Sequence, residues 1–281
     1  MDAKVSDDLQ VEDVEYYRHA GGPLLARLYR PKHVRLAPAV ISMHGGRWIG
    51  ESRLSNAVID EALARDGAVV MPLDIRKPPV AGYPDCIADI NVATRWLKQH
   101  ADELGSRPDL VGGIGTSSGG HQVMTSAMRP HDRRYAALPL ASGHDASLAF
   151  AVVAWPVIDP LARYRMVKPN SELRGYAEAH EAYWPDEAAM AEGNPQLILE
   201  RGEDVLLPPT LYIQGTADAA LPPDMADRFA AAYRRAGGSL DLKKFPGQAH
   251  TFITKEPTSA ASLQALAVIK AFVRYRTALL T

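Results

Sequence analysis

Apolar runs of strand length alternate with longer segments of helical periodicity along most of this chain. Val, Ile, Leu and Ala dominate PAVISMHGG (38–46), AVVMPLDIR (68–76), DLVGGIGTS (109–117), LAFAVVAWPVI (148–158) and PTLYIQGTAD (209–218). Residues that are apolar at successive positions, not alternate ones, belong to strands covered on both faces, the condition of a parallel sheet. The earlier segment VEYYRHAGGPLLARLYRP (14–31) predicts two strands joined at Gly21-Gly22, a hairpin that opens the fold. A short strand is expected at 239–245 and a final helix over 258–278. Between the apolar runs, 85–104 places Ile90, Ala93 and Leu97 on one face beside Trp96, and 223–236 spaces Met225, Phe229 and Tyr233 at one-turn intervals before Gly237 stops the helix. Strand alternating with helix predicts an α/β fold, a doubly wound and mostly parallel sheet. Only 160–204 breaks the rhythm. It is helical, mixed in charge and aromatic at Tyr176, Tyr183 and Trp184, and is expected to be a small cap inserted after one strand of a single domain spanning 1–281.

Composition then narrows the function by exclusion. Lys+Arg total 31 against 33 Asp+Glu, a formal net charge of −2, and neither sign forms a long block. A chain of that kind has no electrostatic footprint for nucleic acid or an anionic membrane, so the expected partner is a small, weakly charged molecule, with a homodimer left open. The one cysteine, Cys86, excludes an internal disulfide and a Cys-based zinc site. No carboxylate and histidine cluster has metal-ligand spacing, so neither metal nor cofactor is expected. The stretch MDAKVSDDLQ is acidic and polar, unlike a signal peptide or membrane anchor, and a cytoplasmic location follows as the expectation.

Against this background GIGTSSGG (113–120) stands out, two adjacent serines among four glycines just after an apolar run. A phosphate-cradling loop is one reading. Yet the GxGxxG match at 113–118 ends in serine, lies far from the first strand and lacks a Walker lysine. The alternative is that Gly115-Thr116-Ser117-Ser118-Gly119 fits GxSxG, a sharp strand-to-helix turn that lifts Ser117 above the sheet edge and places the Ser118 N–H at a helix N-terminus. A serine hydroxyl is a weak nucleophile until an imidazole takes its proton, and that imidazole needs a carboxylate to fix its tautomer. Both occur downstream in the required order: Asp218 in TLYIQGTADAALPP, then His250 in LKKFPGQAHTF. Upstream, ISMHGGRWIG sets His44-Gly45-Gly46-Arg47-Trp48 at the end of another apolar run, a Gly-rich loop whose N–H groups can approach a carbonyl oxygen. Gly46 and Arg47 are the expected donors beside Ser118, with Gly45 as a further one.

Taken together these motifs resemble the α/β-hydrolase superfamily, and within it the HGG-bearing serine esterases similar to the hormone-sensitive lipase and kynurenine formamidase-like groups, over roughly residues 14–280. Two departures are visible: Arg47 replaces the third glycine of HGGG esterases, and Ser118 stands where alanine is commoner. The resemblance implies hydrolysis of a small carboxylic ester by a Ser117–His250–Asp218 acyl-enzyme mechanism, with an aryl amide or formamide as the alternative substrate and a non-catalytic binding protein as the remaining one. It makes His44 a brace of the oxyanion loop. His121 is read as packing, Asp85 and Asp89 as capping or solvated residues, and Asp159 as a rival for the triad acid. Trp48 and Trp184 are the expected substrate contacts.

Overall fold

The computed structural model describes residues 8–280, so positions 1–7 of the acidic opening stretch lie outside the described residues. The first strands, β1 (Leu9–His19) and β2 (Gly22–Pro31), pair antiparallel with His19 opposite Gly22, which is the hairpin expected at Gly21-Gly22. β1 begins ahead of the run read at 14 because it is an edge strand, exposed at many positions, and carries no continuous apolar signal there.

Next come β3 (Ala39–Met43), α1 (Ala57–Arg65), β4 (Val69–Pro72), α2 (Asp85–Gln99), β5 (Val111–Thr116), α3 (Ser118–Met128) and β6 (Ala151–Ala154). Four helices follow, α4 (Pro160–Val167), α5 (Arg174–Tyr183), α6 (Glu187–Glu192) and α7 (Pro195–Glu200). The chain continues through β7 (Thr210–Gly215), α8 (Met225–Arg235), β8 (Leu240–Phe245), α9 (Phe252–Lys255) and α10 (Ala260–Ala278).

The eight strands form one sheet in the order β1-β2-β4-β3-β5-β6-β7-β8. From β4 to β8 all neighbours are parallel, and the hairpin adds its two strands antiparallel at one edge. Every residue of β3 to β7 is buried, the condition their unbroken apolar runs require. α2 buries Ile90, Ala93 and Leu97, and α8 buries Met225, Phe229 and Tyr233. Gly237, at φ +92°, lies just past the end of α8 in the left-handed region that glycine takes most readily. Among the described residues no helix is long and apolar enough to cross a membrane. Because the strands from β3 to β8 run in one direction, the loops leaving their C-terminal ends gather along a single rim.

Candidate active site

β5 ends at Thr116 and α3 begins at Ser118, which leaves Ser117 to turn the chain, at φ 51° and ψ −121°. The turn has no room for side chains beside it. A Cβ on Gly119 would lie 2.1 Å from the His44 carbonyl oxygen, and one on Gly115 would lie 2.4 Å from that of Gly119. Ser117 is pinned through its own backbone: its N–H donates to Ala154 O at 3.0 Å, and its carbonyl accepts from the Val157 N–H at 3.0 Å.

Two other loops of the same rim deliver the partners. Ser117 Oγ lies 2.9 Å from His250 Nε2, and His250 Nδ1 lies 2.7 Å from Asp218 Oδ2. A carboxylate only accepts, so Nδ1 carries the proton and Nε2 presents its lone pair to the serine hydroxyl. Asp218 is itself held, its Oδ1 accepting from the Ala220 N–H at 2.9 Å and its Oδ2 from Gln214 Nε2 at 3.0 Å. The loop of His250 is bound to that of Asp218 by the Ala217 N–H to Gln248 O bond of 2.9 Å. Asp159, the rival acid, instead caps α4, accepting from the Ala162 N–H at 3.0 Å and from Asn194 Nδ2 at 2.7 Å.

Past β3 the chain runs through three consecutive left-handed residues, Gly46 (φ 86°), Arg47 (58°) and Trp48 (66°), and Glu51 adds another at 65°. Gly46 must be glycine, since a Cβ there would meet Gly50 O at 2.5 Å. Arg47 adopts the backbone state that a third glycine would take easily. The N–H groups of Gly46, Arg47 and Ser118 have no acceptor among the described residues, and the loop lies directly against the serine turn: a Cβ on Gly45 would sit 3.2 Å from that of Ser117. His44 is buried and hydrogen bonded through Nδ1 to Gly45 O at 3.0 Å, and burial pulls its imidazole down to about 4.

The serine opens into a cavity of about 210 Å³, walled by Gly46, Arg47, Glu51, Asn56, Trp155, Tyr176, His250 and Lys255 among others. Burial pushes the Glu51 carboxyl up, while the neighbouring His250, Lys77 and Arg47 oppose that rise. Trp48 and Trp184, expected to touch substrate, are placed elsewhere. Both are 2% exposed and packed against each other, with Trp48 stacked on Tyr183 at 5.3 Å. The aromatic walls are Tyr176, from α5, and Trp155, at the end of β6. Neither Trp155 nor Glu51 was singled out in the sequence: Trp155 lies inside the apolar run 148–158, just past the end of β6, a position that could have marked it, and nothing marks Glu51. Asp89 is neither cap nor solvated: it is buried and paired with Arg76 at 2.7 Å. His121, read as packing, is fully buried and hydrogen bonded at both ring nitrogens.

Comparison with known proteins identifies the family. Residues 27–233 match the family model BD-FAE. The chain belongs to the BD-FAE family. Esterase LipC of Mycobacterium tuberculosis is 26% identical over 228 residues, covering 77% of this chain and 53% of LipC. Carboxylesterase NlhH of the same organism is 28% identical over 246 residues, covering 81% and 70%. This BD-FAE chain thus spans about half the length of LipC and of some other curated relatives. The propionate-bound esterase Est2 of Thermogutta terrifontis superposes with a TM-score of 0.75 at 25% identity, covering 96% of this chain and 94% of that one. The BD-FAE chain has the α/β-hydrolase fold.

Proposed function

We propose that this protein is a serine carboxylesterase that cleaves small esters through an acyl-enzyme on Ser117. The observation that carries the reading is the unbroken relay from Ser117 Oγ through His250 to Asp218, at 2.9 and 2.7 Å, beside three backbone N–H groups with no acceptor among the described residues. As Ser117 attacks the carbonyl carbon, His250 Nε2 takes its proton and Asp218 stabilises the imidazolium. The negative charge on the carbonyl oxygen is received by the N–H groups of Gly46, Arg47 and Ser118, fixed before the reaction begins. His250 returns the proton to the leaving alcohol, and water repeats the sequence to release the acid. The helices of 160–200 act as a cap, because Tyr176 walls the cavity and Arg47 Nη1 donates to Gly175 O at 3.1 Å.

A cavity of this size fits a short acyl group, and two Est2 structures of Thermogutta terrifontis hold propionate and butyrate. A cytoplasmic location fits a chain whose one cysteine, Cys86, is buried and free. The test is turnover of a p-nitrophenyl ester series together with labelling by paraoxon, which phosphorylates Est2. The expected result is highest activity on acyl chains of two to about four carbons. The label should map to Ser117, and Ser117→Ala should lose roughly 10³-fold or more in kcat. Labelling at another residue, or an active Ser117→Ala enzyme, rejects the mechanism.

A further inference from the structure

Two side chains on the first turn of α3 accept hydrogen bonds from Trp48 of the oxyanion loop, one from its backbone and one from its indole. The Trp48 amide N–H donates to Ser118 Oγ at 3.0 Å, and the Trp48 indole N–H donates to His121 Nδ1 at 3.2 Å. Both acceptors are fully buried. His121 Nε2 lies 2.8 Å from Gly193 O, and since a carbonyl only accepts, the proton is on Nε2 and Nδ1 is free to receive the indole.

The loop needs such holding. Left-handed backbone at a residue with a side chain costs about 1–2 kcal/mol, and here Arg47 and Trp48 adopt it in succession after Gly46. A conformation of that kind persists only where its surroundings over-determine it. The bonds internal to the loop, from the Ile49 and Gly50 N–H groups to Gly46 O at 3.2 and 2.9 Å, close it on itself without relating it to Ser117. Of the two bonds to α3, only the one to Ser118 grips the loop's backbone, one residue beyond Arg47 and one residue beyond the nucleophile.

We propose that the Ser118 hydroxyl is a positioning residue, setting the Gly46 and Arg47 N–H groups at the distance from Ser117 that the developing oxyanion requires. The proposal rests on the esterase reading above. It gives the two adjacent serines separate tasks: Ser117 uses its hydroxyl to attack, and Ser118 uses its own to hold the loop while its N–H faces the oxyanion. Removing the hydroxyl leaves that N–H in place and frees the loop. A displaced donor acts on the transition state far more than on the bound ester, so the loss appears in kcat.

The experiment compares wild type, Ser118→Ala and Ser118→Thr on p-nitrophenyl acetate, with a melting curve for each. Ser118→Ala is expected to lose about 10- to 100-fold in kcat with KM within about 3-fold, the size of effect that misplacing a reacting group by an ångström produces. Ser118→Thr, which keeps the acceptor, is expected to recover most of that loss. A kcat within about 2-fold of wild type in Ser118→Ala, or a lowered melting temperature with kcat unchanged, overturns the proposal and leaves the esterase reading standing. If alanine does not fold, Ser118→Cys carries the test, because a thiol of similar size is only a weak acceptor; a loss of about 3- to 10-fold supports the proposal and full activity overturns it. An inert wild type that paraoxon does not label removes the esterase reading, and the proposal with it.

Discussion

His250 has two ring nitrogens with two different partners, and Asp218 decides which nitrogen does which task. With its carboxylate 2.7 Å from Nδ1, the lone pair must stand on Nε2, toward Ser117. Asp218→Asn presents an amide that can donate where only acceptance is useful, and a flipped tautomer would turn a proton toward the serine. The expected result is a kcat lower by about 10³- to 10⁴-fold with KM little changed, read from steady-state rates on a short ester. Activity should also fall in acid, since a proton on Nε2 removes the base, and a flat profile of kcat/KM against pH would contradict that role. At this scale Ser117, Asp218 and His250 could be placed from the sequence because each follows a strand, in a fixed order. Trp48 was misplaced because its side chain direction depends on a left-handed backbone that no residue pattern announces.

Among elements, legibility followed how evenly each one separates its polar and apolar faces. α2 and α8 could be read from one buried stripe each. α1 escaped because Asp60 sits fully buried on its inner face, whereas α3, which opens on the poor helix formers Ser118, Gly119 and Gly120, was announced only by the GxSxG turn ahead of it. The helices of 160–200 depend on caps instead: Asp159 for α4, Asp186 for α6 and Asn194 for α7. Asp159 also accepts from the buried Asn194 side chain and so joins the first of these helices to the last. Asp159→Ala therefore removes a cap and strands a buried amide, and is expected to cost about 1–3 kcal/mol. A melting curve should show that loss while kcat stays within about 3-fold of wild type, since no reacting atom is touched.

For the molecule as a whole, buried titratable groups set opposite limits on stability. Burial lowers His44 and His121 to about 4, so each takes up its proton on unfolding. Their contribution is complete above the free-imidazole value of 6.5 and declines as pH falls toward about 4. Burial raises Asp60 to about 8, its carboxyl turned toward a Ser42 hydroxyl that does not reach bonding geometry. That group favours the fold below 3.8 and less and less as pH rises toward about 8. Burial lowers His180 in the same way, so the charging of three imidazoles weakens the fold below 6.5, the driven ionisation of Asp60 weakens it toward pH 8, and scanning calorimetry should find the highest melting temperature at roughly pH 6–7, with decline on both sides. Asp60→Asn should flatten the alkaline side and raise the melting temperature at pH 8.5 by about 2–6 °C; an unchanged slope would mean that Asp60 is ionised in the fold.

The strand order also leaves β8 at the end of the sheet, with no strand along its outer side among the described residues. An open flank of that kind is a template on which a second chain can add a strand and begin an aggregate. This one is studded with charge: Asp241, Lys243 and Lys244 are exposed, and Lys244 is turned aside to Asp227 at 2.5 Å. Two copies meeting edge to edge would bring lysine rows together, and such like-charge contact keeps a β-rich surface dispersed in a crowded solution. Replacing Lys243 and Lys244 together by valine should leave ester turnover intact, yet make concentrated samples scatter light as they are warmed well below the melting temperature.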